Sequence, residues 1–246
     1  MLMWTEYLNR LLGVIVGFLI VATVVSAWKH HRREPRILWS AVVALLLTGF
    51  QGWLGGRVVA HELAAWIVTT HLVVALIIVS LLIYATVTAF EVSRISSPSS
   101  EHRTTPAGPA PLRTPLWVGL LIAITLMQIA LGTQVRGRID AALDAAVPRA
   151  EALGTVGAAD TLHRTNALAV LAGALVVAFF VRTRHPRRSA RRFWAFAVVD
   201  LAFLQIAFGL VMAYVSLAPA AQVGHLTIAT LLLGAQIVLL LLVRAR

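Results

Sequence analysis

The chain has 246 residues, 59% of them hydrophobic, with a mean hydropathy of +0.86 and no cysteine. Soluble domains lie nearer about 45–50% apolar, so this composition excludes an ordinary water-soluble domain and implies a polytopic helical membrane protein. The absence of cysteine excludes disulfides, thiolate ligands and Cys-based metal sites. A net charge of +11 raises the question of nucleic acid, but the positions of the charges answer it differently.

Apolar stretches long enough to cross a hydrocarbon core of about 30 Å fall at about 11–28, 37–59, 65–90, 115–135, 165–181, 193–215 and 223–243. No small-residue cleavage site follows the first, so it does not read as a signal peptide. The loop after it carries Lys29, Arg32, Arg33 and Arg36. The segment 94–114 (RISSPSSEHRTTPAGPAPLRT) holds Arg94, Arg103 and Arg113 and reads as a flexible linker. Residues 136–162 form a long connection on the other side, where the run IDAALDAAVPRAEAL reads as a short amphipathic piece broken at Pro148. Six arginines crowd 182–192, and Arg244 and Arg246 close the chain. In all, 15 of the 21 basic residues lie on one side. The positive-inside rule makes that side cytoplasmic, with the N-terminus outside and the C-terminus inside. The basicity is topological, and no nucleic-acid partner is expected. One lysine against 20 arginines suggests a GC-rich bacterial genome and hence a bacterial plasma membrane.

The chain repeats itself at an offset of 154 residues. Asn9 aligns with His163, Arg10 with Arg164, Gln51 with Gln205, Gly55 with Gly209, His71 with His225 and Glu6 with Asp160. A Gln-x-x-x-Gly signature recurs every 77 residues, at Gln51–Gly55, Gln128–Gly132 and Gln205–Gly209. Residues 1–92 therefore form an N-terminal half-bundle, 93–114 a cytoplasmic linker and 115–246 a C-terminal four-helix bundle. A complete duplication would have eight spans. The expectation is that the first helix of the N-terminal bundle is missing here, with a misassigned start codon favoured over true loss.

His71, His163 and His225 all lie near the outer ends of their spans. An ionisable side chain inside a span is costly and marks a functional site by default. The bland reading, a histidine bonded to a neighbouring helix, weakens when three positions share a duplicated register. Imidazoles on facing helices at one depth are what a six-coordinate haem iron requires. Arg10 and Arg164 each follow a ligand position and could pair with porphyrin carboxylates, although a snorkelling arginine would look the same. Glu6, one turn before Asn9, is a candidate proton-transfer or positioning group. His61 is a stray histidine near the first half-site and a candidate substitute ligand. Asp200, in the sixth span, is read as buried and paired with Arg191 or Arg192.

With Glu6-x-x-Asn9-Arg10, Gln51-Gly52-x-Leu54-Gly55-Gly56, His71-Leu72, His163-Arg164 and Gln205-x-x-x-Gly209 before His225, the chain resembles the haem A synthase (CtaA/Cox15) family across essentially its whole length. The resemblance implies two pseudo-symmetric four-helix bundles. It implies oxidation of a methyl group of haem O to the formyl group of haem A. His163 and His225 would ligate a resident haem b, with Arg164 beside it. His71 would face the substrate haem with Asn9 and Arg10, and Glu6 would be the essential carboxylate. Haem O, membrane lipid, a haem O synthase and an external electron donor are the partners implied, and a homo-oligomer is open. The family motif most often reads Glu-x-x-His-Arg; Asn9 replaces that histidine and is a poor iron ligand. A dihaem electron carrier, a repeat-built transporter or haem chaperone, and a haem b-binding member without turnover are the competing readings.

Overall fold

A computed structural model describes residues 2–60, 65–95, 113–215 and 217–244. Seven helices in it are long and apolar enough to span a membrane: α1 (Leu2–His31), α2 (Pro35–Ala60), α3 (Ala65–Ile95), α4 (Arg113–Asp144), α6 (Ala158–Arg184), α7 (Ala190–Tyr214) and α8 (Pro219–Arg244). A single-turn helix, α5 (Arg149–Ala152), and a 3-10 turn (Leu153–Thr155) lie between α4 and α6. No strand occurs among the described residues.

Local chemistry sets the breaks. Pro35 and Pro219 open α2 and α8 at the one helical position where a missing N–H costs nothing. Ser189 caps α7, its hydroxyl accepting from the Arg192 amide at 3.3 Å. Gly157 turns the chain into α6 at φ +65°, a conformation other residues adopt only with strain. The α4 helix runs well past the end expected of its span, to Asp144. The first part of the presumed surface piece is therefore a continuation of α4. The chain reverses at Ala146 (φ 60°) and Pro148 before α5.

The chain divides into two compact units, Met1–Thr105 and Pro106–Arg246. In the first, α2 packs against both α1 and α3. Two small clusters hold it together: Ile20, Ala44 and Ile78, and Ala27, Ile37, Ala41 and Ala85. In the second, α4 packs on α6, α6 on α7, α7 on α8 and α8 on α4, which closes a ring. Its interior is continuous, running from Val118 and Leu121 through Val177, Val181 and Val198 to Leu239. Lipid removes the hydrophobic drive between helices, so close van der Waals packing must hold them. Ala174, Ala178, Ala195, Ala202 and Ala235 inside this ring are the small residues that permit it.

Each end of the second unit is tied separately. At the basic end, Arg184 donates to the Thr114 hydroxyl at 2.9 Å and Arg191 to the Leu242 carbonyl at 2.7 Å. At the opposite end, Arg138 donates to the Val156 carbonyl at 2.7 Å and Arg149 to the Leu217 carbonyl at 3.0 Å. Arg136 bonds both Asp140 and Gln222. Beneath these ties Ile139, Ala142, Ala152, Val156, Ala159 and Leu217 form a second small core. The arginines on the less basic side of the sequence thus include three that fasten this connection. The expected pairing of Asp200 is corrected: Asp200 is exposed, Arg191 turns to Leu242, and Arg192 lies over the Phe196 ring. Asp200 shares an open surface cleft with Arg192 and Phe196, with no ion pair between Asp200 and either arginine among the described residues.

Candidate functional site

The site grows out of the repeated glutamine and glycine. On α4, Gln128 and Gly132 are four residues apart, so they share one helix face. Gly132 leaves room that His163 of α6 fills: a methyl group there would stand 3.1 Å from the His163 Cε1. Gly209 of α7 does the same for His225 of α8, at 3.5 Å, and in the first unit Gly55 of α2 does so for His71 of α3, also at 3.5 Å. Each copy of the signature therefore seats one histidine ring. At Gly132 the ring approaches closely enough to favour glycine, whereas at Gly209 and Gly55 a methyl would meet it at ordinary contact distance.

The second unit brings two of these rings together. The His163 and His225 ring centroids are 6.5 Å apart, with planes inclined at 57°. Both rings are half-buried, and their Nδ1 atoms, like that of His71, are buried without a hydrogen-bond partner. Gln128 Nε2 lies 3.4 Å from His163 Nε2. Gln128 Oε1 accepts from Asn166 Nδ2 at 2.9 Å, and Asn166 Nδ2 also donates to the Ile124 carbonyl at 3.2 Å. Deeper in the ring, the fully buried Gln236 donates to the Thr125 hydroxyl at 2.9 Å.

Arg164 follows His163 and is held from two sides. Its Nε donates to Asp160 at 2.8 Å and its Nη1 to the Tyr214 hydroxyl at 3.0 Å, with the guanidinium 5.6 Å from the Tyr214 ring centre. Asp160, the repeat partner of Glu6, thus serves in this unit as the counter-ion of an arginine one turn away.

In the first unit Gln51 donates to the His71 carbonyl at 2.8 Å and His71 is half-buried. Asn9 and Arg10 are exposed on α1. No hydrogen bond or ring contact joins Asn9 to His71 among the described residues. The Glu6 side chain and His61 lie outside the described residues. Sequence reading did not single out Asn166, Tyr214 or the role of Gln128. The 77-residue recurrence pointed to Gln128, and Asn166 sits one turn after His163 on the same helix face; nothing marked Tyr214.

A membrane bundle holding a histidine pair beside a fixed arginine at one end, with a repeat-related histidine in a second unit, defines a class of multi-pass protein built around duplicated histidine sites. The chain belongs to the COX15-CtaA family, described as cytochrome oxidase assembly protein, whose sequence model matches residues 1–237. Among its relatives, the Heme A synthase of Allorhizobium ampelinum is 30% identical over 140 residues, covering 54% of this chain and 35% of that protein. The Heme A synthase of Bradyrhizobium diazoefficiens is 28% identical over 230 residues, covering 80% of this chain and 59% of that protein. That of Geobacillus kaustophilus is 28% identical over 110 residues, 45% of this chain and 35% of that protein. The chain therefore matches between about a third and three fifths of these relatives' length.

Proposed function

We propose that this chain is a haem A synthase of a bacterial plasma membrane, oxidising the methyl group of haem O to the formyl group of haem A, with a haem b resident between His163 and His225. The observation that carries the reading is the 6.5 Å between the two ring centroids. Two metal–imidazole bonds of about 2 Å, each with about 1.1 Å from nitrogen to ring centre, require a separation of about 6 Å. The half-buried rings and the glycine seats that leave them room support the same fit.

When bound, haem supplies the one-electron and oxygen chemistry. The chain's own residues bind, orient and exclude water. His163 on α6 and His225 on α8 present their rings from opposite corners of the ring of helices. Arg164, fixed by Asp160 and Tyr214, sets a positive charge next to His163 that would stabilise a porphyrin carboxylate. Residues 115–246 form the haem b unit, and residues 1–92 the substrate unit, joined by 93–114. In the substrate unit His71 faces haem O, with Asn9 and Arg10 on α1 at its border. Asparagine in place of a second histidine leaves one side of the substrate iron without a strong protein ligand. Glu6 holds or moves a proton beside the substrate. Haem O synthase is the supplier of substrate, and electrons enter from an external donor.

Co-expression with a haem O synthase, followed by extraction and chromatography of the non-covalent haems, tests the reading. Haem A or its hydroxylated precursor is expected, and is expected to vanish with Glu6→Ala. Haem b with unchanged haem O would instead identify a haem b-binding protein without turnover.

A further inference from the structure

Asn166 is buried at 8% exposure, and its amide nitrogen faces two acceptors. One is the Ile124 main-chain carbonyl at 3.2 Å, which can only accept. That contact fixes which end of the Asn166 amide is nitrogen. The same nitrogen lies 2.9 Å from the Gln128 side chain, so the atom it meets there must be Gln128 Oε1. Gln128 then has only its NH2 group to offer on the other side, where His163 Nε2 stands at 3.4 Å. An amide NH2 donates and never accepts. His163 Nε2 must therefore be the acceptor, and the ring proton sits on Nδ1.

We infer that Asn166 and Gln128 are positioning residues for His163: anchored on the Ile124 carbonyl, they hold the imidazole as the Nδ1–H tautomer, with its Nε2 lone pair available to a metal. The inference rests on the haem reading of the histidine pair and deepens it. A metal-ligating histidine is commonly oriented through a partner of its second nitrogen; here the orienting group acts on the ligating nitrogen before the metal arrives. At 3.4 Å the Gln128 contact is long and weak for a hydrogen bond, so iron displaces it readily.

Among the described residues the arrangement is found in the second unit. The repeat partner of Asn166 is Leu12, which is exposed and has no amide to offer. The relay therefore separates a histidine whose tautomer is set before haem arrives from one without that device.

The test uses the full chain, purified in detergent. The rate of haemin uptake by the haem-depleted chain and the electron paramagnetic resonance of the ferric low-spin haem are read without any turnover. Because the relay acts on the ring before the metal arrives, Asn166→Leu, which installs the residue of the first repeat, and Gln128→Leu, which removes the donor, should each slow haem uptake several-fold. Asn166→Asp should act more strongly. Its carboxylate can only accept, so Gln128 turns its NH2 toward it and presents Oε1 to His163, favouring the Nε2–H tautomer. The low-spin signal should then fall or shift. Wild-type rates and g-values in Asn166→Leu and Gln128→Leu would overturn the inference while leaving the haem site standing, whether or not Asn166→Asp folds. A wild-type chain that binds no haem would overturn both.

Discussion

The two units start from related sequences and reach different interiors. In the second, four helices close a ring, and the four buried polar residues among those described, Thr114, Thr125, Asn166 and Gln236, all lie within it. In the first, α2 holds α1 and α3 on two sides, and the described core is wholly apolar. The repeat partners of Asn166 and Gln236 are Leu12 and Leu82. Enclosure explains the difference. A polar group needs partners on several sides once water is gone, and only a closed ring supplies them. The duplicated signature supplies the histidine seats in both units; closure supplies the polar surroundings that tune a seat.

The largest effect expected from breaking this contrast is at the ligands. His163→Ala or His225→Ala should abolish the six-coordinate low-spin haem spectrum of the purified chain, whereas His71→Ala should leave it in place. Equal loss from all three would mean that the units do not divide the haems between them. Asn9→His comes next: restoring the usual residue should add a second low-spin component when haem O is supplied, seen in the same spectra.

The glycine seats grade the comparison further. Gly132→Ala places a methyl 3.1 Å from His163, tighter than ordinary contact, whereas Gly55→Ala and Gly209→Ala place theirs at 3.5 Å. The haem-to-protein ratio should fall several-fold, on the order of 1 kcal/mol for an off-rotamer ring, for Gly132→Ala and little for Gly209→Ala. In the ring interior, Gln236 Oε1 is buried without a partner, and such an acceptor costs about 1–3 kcal/mol. Gln236→Leu should be neutral or stabilising in thermal unfolding in detergent. A clear loss of stability would show that this oxygen has a partner in the working protein.

The smallest effect is at the basic end. Burial, then Arg191 and Arg184, push the His185 imidazole below its ordinary value. The folded chain thus binds this proton less readily than the unfolded one. The stability it contributes is present above the ordinary histidine pKa of about 6.5 and is lost as pH falls through that value. Detergent melting temperatures should decline on acidification below about pH 6.5, less so in His185→Gln.

Much of this was legible beforehand. Seven spans, the two-unit repeat and the candidate histidines follow from hydropathy and from identical residues at a fixed offset. Both are signals carried residue by residue. The end of α4 was not legible, because RGRIDAALD is too polar to read as span although its helix propensity carries it to Asp144. Asp200 was misread because its place inside an apolar run says nothing about which face of α7 it occupies.

The sequence by itself therefore determined the membrane class, the duplication and which side chains were candidates to bind a metal. Only the tertiary structure decided how closely His163 and His225 approach, that Asp160 and Tyr214 hold Arg164, and that Asn166 reaches His163 through Gln128. Those contacts join residues 35 to 62 positions apart in the chain, Asp160 excepted. Their distances depend on how closely glycines and alanines let four helices approach, a property of the packed ring rather than of any one segment.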